Sequence, residues 1–132
     1  MSTPGERIAA GDPYDEFTPA VSPERLRKLI LHDIEEERAR QIAKFGDQSH
    51  LPDGTLHEFE SLRDLYRHLC QTAFRNGRGT WLHVLREEVF EAFAEWLNPR
   101  ALRKELIQCA AVIVAWVEAL DQRARQTPEV PA

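Results

Sequence analysis

Leu85-Arg86-Glu87-Glu88-Val89-Phe90-Glu91 is answered further along the chain by Leu102-Arg103-Lys104-Glu105-Leu106-Ile107-Gln108, and the two stretches align with Leu, Arg and Glu in matching places. Residues three apart share a helix face, so Glu88 sits beside Glu91 and Glu105 beside Gln108. Two such pairs facing one another make an oxygen cage for a divalent cation. In the second copy one acid is replaced by the amide of Gln108.

Both stretches lie in helical patterns. Thr80 is a suitable N-cap for a helix with Trp81, Leu85, Val89, Ala92 and Trp96 turned inward and Glu88, Glu91 and Glu95 along one edge of that stripe. Asn98-Pro99 ends this helix and starts the next, because proline needs no amide partner in a first turn. A link so short favours antiparallel packing, which brings the two stretches face to face. The next helix runs to about Arg123 with Leu102, Leu106, Cys109, Ile113 and Leu120 on its stripe. Glu105 and Gln108 then take the same angular place that Glu88 and Glu91 take on the preceding helix. Ile107, Val112 and Val114 lie off that stripe, so the helix is apolar on several sides, and a homo-oligomer interface over it and Phe90 is expected.

Upstream, Ser22-Pro23-Glu24 is a helix start, followed by an inward line of Leu26, Ile30 and Ile34 and a charged run ending near Lys44 and Gly46. Pro52 and Gly54 mark a loop. Phe59, Leu62, Leu65, Tyr66, Leu69, Cys70 and Ala73 recur at three- and four-residue steps up to Asn76-Gly77, as a core-facing helix does. The fold class is therefore all-α, a four-helix bundle-like domain over residues 22–124, with a flexible arm over 1–21 and a polar tail over 125–132.

The chain has 132 residues and a formal charge of -5, which fits one domain and disfavours a duplex nucleic-acid binder. An anionic substrate would need a metal ion to meet it. Cys70 and Cys109 lie inside apolar patterns and read as buried free thiols. No stretch has the length and apolarity of a membrane span, and nothing near Met1 reads as a signal peptide, so a cytoplasmic protein without membrane partners is expected. His83 stands four residues before Glu87, but no His-Glu-x-x-His motif accompanies it, so a satisfied or solvent-facing histidine is expected there. Asn76-Gly77-Arg78-Gly79 reads as a helix stop and turn.

Clustered carboxylates at the edge of a core repel one another and resist desolvation; a hard cation such as magnesium or manganese compensates both. The alternative on spacing alone is a solvated acidic helix face, with Glu105 paired to a nearby arginine.

Glu87-Glu88-Val89-Phe90-Glu91 followed by Glu105-Leu106-Ile107-Gln108 resembles the Glu-Glu-x-x-Glu and Glu-x-x-Asp signature of the MazG-like all-α nucleoside triphosphate pyrophosphohydrolases. Gln108 stands where that family has aspartate. The stretch from Glu37 to Gln48 also resembles a segment of MazG-like proteins. The resemblance implies a Mg2+-dependent (Mn2+ as the alternative ion) hydrolase that cleaves a nucleoside triphosphate to monophosphate and pyrophosphate. Glu88, Glu91 and Glu105 are carried over as ligands, with Gln108 in the remaining ligand position. The metal offsets phosphate charge and helps form the attacking hydroxide. Glu87 or Glu91 orients or deprotonates water; Lys44 and Arg78 meet phosphate, and Trp81 or Phe45 stacks on the base. The competing reading is a noncatalytic helical binding or regulatory protein that keeps the fold.

Overall fold

The computed structural model describes residues 21–126, so the arm expected before Val21 and the last part of the tail lie outside the described residues. The described chain is all-α and contains no strand. Four α-helices follow in order: α1 Pro23–Phe45, α2 Glu60–Arg75, α3 Trp81–Phe93 and α4 Pro99–Gln126, with a 3-10 turn at His57–Phe59 before α2. No described helix is long and apolar enough to cross a membrane. The described backbone divides into two compact units, one of residues 47–115 and one of residues 21–46 together with 116–126.

Sequence signals explain the helix ends. Ser22 caps α1 by accepting from the Arg25 amide at 3.2 Å, with proline in the first turn. Gly46, at φ 68°, closes it by donating its amide to the Ile42 carbonyl at 2.8 Å. At the end of α2 the Arg78 amide reaches the Ala73 carbonyl at 2.8 Å and the Gly77 amide reaches Phe74 at 3.1 Å, the paired bonds of a Schellman stop. Gly77 takes the left-handed φ of 71° that this stop requires. The Asn76-to-Gly79 segment is thus the turn expected of it.

In the unit containing α1, Leu26 and Ile30 are buried, and Arg27 Nε pairs with Glu118 Oε1 at 3.0 Å. Ile34, expected on the same inward line, is 46% exposed, and every later α1 residue is exposed as well. Local pairs line that solvated half, His32 with Glu36 at 3.0 Å and Glu37 with Arg40 at 2.8 Å.

In the other unit, α2 and α3 meet through rings. Phe90 has its centroid 4.7 Å from Tyr66, 5.3 Å from Phe93 and 6.2 Å from Phe59. Phe90, expected at a subunit interface, is half-buried in this intramolecular cluster. Leu65 and Leu69 extend the predicted α2 stripe but are exposed, because the ring cluster draws in the side of α2 that carries Tyr66 and Cys70. Ala92, Leu102 and Cys109 form the buried patch joining α3 to α4, with Val89 packed on it.

Two expectations are corrected here. The third helix stops at Phe93, short of Trp96, which lies outside it at 49% exposure. Its end is drawn into other bonds: the Leu56 amide donates to the Phe93 carbonyl at 3.0 Å, and Glu95 Oε1 accepts from the Asn98 amide at 3.0 Å. Glu95 is therefore a turn residue, and Asn98 Oδ1 accepts from the Arg100 amide at 2.9 Å to start α4. The α4 stripe is also only partly covered. Leu102, Cys109 and Val114 are buried, while Leu106, Ile113 and Leu120 are 44–50% exposed. A 13-residue helix spans about 20 Å and a 28-residue one about 42 Å, so α3 cannot cover α4 along its length.

Candidate metal centre

Thr80 sets the phase of α3, its hydroxyl accepting from the His83 amide at 3.3 Å while its own amide donates to His83 Nδ1 at 3.2 Å. His83 is thereby occupied in a capping box, the satisfied histidine expected of it. Two turns further on, the same helix carries Glu87, Glu88 and Glu91.

Glu88 and Glu91 from α3 converge with Glu105 from α4 so that one carboxylate oxygen of each lies within 4.8 Å of the others. All three residues are half-buried. The approach reads in opposite directions along the two helices, with the charge of Glu91 acting on Glu105 and that of Glu88 on Cys109. Glu88 Oε2 and Glu105 Oε2 are buried without a hydrogen-bond partner. An ionised carboxylate oxygen in that position lacks the donors it had in water, and a hard cation supplies what is missing. The three carboxylates form a cluster suited to a divalent cation.

Electrostatics tell the same story. Burial is the largest cause raising the Glu88 carboxyl above its ordinary value, followed by repulsion from Glu91, Glu105 and Glu87. Burial likewise leads for Glu105, followed by the charge of Glu91 and the hydrogen bond with it. In the unfolded chain both groups titrate near their ordinary 4.5, and in the folded chain above it. Between those values the folded state holds more protons, so this contribution to stability is fully present below about 4.5 and is lost as pH rises through the folded values. The metal-free protein is accordingly expected to melt at a higher temperature as pH falls from 7 toward 4.5, and saturating manganese to flatten that dependence. Paired thermal melts check this; a metal-free melting temperature that drops steadily over the same interval contradicts it.

A third helix contributes residues that sequence reasoning missed. Arg67 of α2 donates from Nη2 to Glu91 Oε1 at 3.1 Å, and its Nε lies 3.9 Å from Glu87 Oε1. Cys70, one turn along, is pushed up to about 11 by burial first and then by its hydrogen bond to Glu87, so its thiol stays neutral near pH 7. Arg86 lies with its guanidinium 4.3 Å from the Tyr66 ring centroid. The one available signal for Arg67 was a cation beside the apolar stripe of α2, and it did not distinguish Arg67 from Arg63 or Arg75.

Of the residues expected at the site, Glu88, Glu91 and Glu105 are brought together and Glu87 is tied to them through Arg67. Gln108 lies one turn beyond Glu105 and is exposed. Trp81 opens α3 half-buried, and Arg78 is exposed in the turn before it. Lys44 belongs to the α1 unit, where its Nζ lies 5.2 Å from the centroid of the exposed Phe45 ring. Beneath the α3–α4 turn a recess of about 60 Å³, lined by Asp53, Thr55, Glu95 and Trp96 among others, includes none of the three clustered glutamates. None of the protein-family models, curated proteins or solved structures compared with the chain matches it.

Proposed function

We propose that this protein is a metal-dependent nucleotide pyrophosphohydrolase that cleaves a nucleoside triphosphate to its monophosphate and pyrophosphate. The observation carrying the proposal is the convergence of Glu88, Glu91 and Glu105 within 4.8 Å, with Glu88 Oε2 and Glu105 Oε2 buried and unpartnered. The likeness of the segments 87–91 and 105–108 to the MazG-like signature extends the reading from cation binding to phosphate chemistry.

On this reading Glu88, Glu91 and Glu105 hold magnesium or manganese, and Gln108 adds its amide oxygen. The bound ion supplies charge neutralisation for the phosphates and lowers the barrier to forming a nucleophile from water. Glu87, 3.9 Å from Arg67 Nε, orients the water that attacks the α-phosphorus, with Glu91 as the other carboxylate assigned to that role. The bond from the α-phosphorus to the bridging oxygen breaks, and pyrophosphate leaves. Arg78 is assigned to the phosphates and Trp81 to the base. The exposed Leu106, Ile107 and Ile113 on α4 support assembly with further copies of the chain.

The test is a panel of ribo- and deoxynucleoside triphosphates incubated with magnesium or manganese, with monophosphate and pyrophosphate measured separately. Equal release of the two is expected for at least one triphosphate. Diphosphate with free phosphate assigns another reaction, and metal binding without turnover assigns the noncatalytic reading. In the same assay Gln108→Asp restores a carboxylate in place of a neutral donor. It is expected to tighten metal binding by about tenfold, about a third of the roughly 4 kcal/mol that unit charges about 4 Å apart exert at an effective dielectric near 20. Unchanged affinity removes Gln108 from the ligand set.

A further inference from the structure

Arg67 occupies an awkward place for a residue beside a cation site. Its Nη2 holds Oε1 of Glu91 at 3.1 Å, and Glu91 is one of the three carboxylates that converge. The same guanidinium lies 3.9 Å from Glu87 and 3.9 Å from Asp64. While the carboxylates have no divalent cation, this arginine supplies positive charge to them.

A cation drawn in by Glu88, Glu91 and Glu105 would stand next to that guanidinium, which does not relieve the repulsion by losing a proton. Loosening the bond from Arg67 to Glu91 as the cation takes that carboxylate would relieve this repulsion. Its side chain is 42% exposed, so it has solvent to turn into. A triphosphate arriving with the cation offers the acceptor geometry that an arginine fork matches in two parallel hydrogen bonds. We propose that Arg67 is the exchange counter-ion of this centre, holding Glu91 before the cation binds and transferring to the substrate phosphates when the cation takes Glu91. The inference rests on Glu88, Glu91 and Glu105 holding the metal. It makes the bare ion a poor ligand and the metal–polyphosphate complex a good one, so that metal and substrate enter together.

Calorimetry with two probes, Mn2+ alone and preformed manganese tripolyphosphate, tests this on the full chain. Arg67→Gln removes the competing charge and the phosphate fork together, so it is expected to tighten Mn2+ by about fivefold or more and to weaken manganese tripolyphosphate by about fivefold or more. A merely structural arginine moves both affinities the same way, and that result, or no change in either, overturns the proposal. Arg67→Lys keeps the charge but not the fork. It is expected to bind Mn2+ within about twofold of the wild type and manganese tripolyphosphate about threefold more weakly. Should Arg67→Gln fail to fold by circular dichroism, the lysine variant decides alone, and wild-type affinity for both probes overturns the proposal. Failure of the wild type to bind Mn2+ at all removes the underlying site assignment, an outcome separate from metal binding that ignores Arg67.

Discussion

The double variant Glu88→Gln and Glu105→Gln is expected to lose divalent-cation binding and, without metal, to be more stable than the wild type at neutral pH. The two effects have one cause. Burial and the neighbouring carboxylates raise both groups, so keeping them ionised costs folding free energy that a cation offsets. Glutamine is nearly the same size, carries no charge and leaves the bond between Arg67 and Glu91 in place. With ligand at a hundred times its dissociation constant the wild type should gain about 2.7 kcal/mol, while the double variant gains nothing. Denaturant titrations with and without manganese, paired with calorimetry, measure both halves. A folded double variant that binds manganese as the wild type does would falsify the metal centre. A double variant less stable than metal-free wild type would instead show that the carboxylates serve packing.

Phe90→Ala is expected to have the largest purely structural effect. Phe90 meets Tyr66, Phe93 and Phe59 at centroid distances of 4.7, 5.3 and 6.2 Å, and so joins α2 and the turn before it to α3. A fully buried phenylalanine reduced to alanine costs about 3–5 kcal/mol; half-burial brings the expectation to about 2–3 kcal/mol. Because the contacts lie within one chain, the loss should not depend on protein concentration in chemical denaturation. A stability change that vanishes on dilution, with a matching shift in sedimentation, would return Phe90 to a subunit interface.

Much of the helical frame was legible in the chain because local chemistry decides it. Ser22-Pro23 starts α1, Thr80 starts α3, Asn98-Pro99 starts α4 and Gly77 stops α2, each through bonds made within a few residues. The all-α class follows from those signals and the apolar periodicity between them. The glutamate cluster was legible for a related reason. Two helices joined by a short link and carrying acids in the same phase bring Glu88, Glu91 and Glu105 together once Ala92, Leu102 and Cys109 pack.

Periodicity names a face without saying what covers it, and there tertiary structure decided. Ile34, Leu65, Leu69, Leu106 and Ile113 all keep the expected helical phase and are nonetheless exposed, because burial depends on the reach of neighbouring helices. Trp96 leaves its helix altogether, since the Leu56 amide and the Glu95 side chain redirect the chain between Phe93 and Asn98. Arg67 is the clearest case. In the sequence it is one cation among several on α2, and packing of α2 against α3 sets it on Glu91 at 3.1 Å. The chain by itself determined where helices begin and which acids share a phase, through interactions spanning three or four residues. Which charges meet, and which apolar faces remain in water, depended on contacts between residues distant in sequence, and only the folded structure determines those.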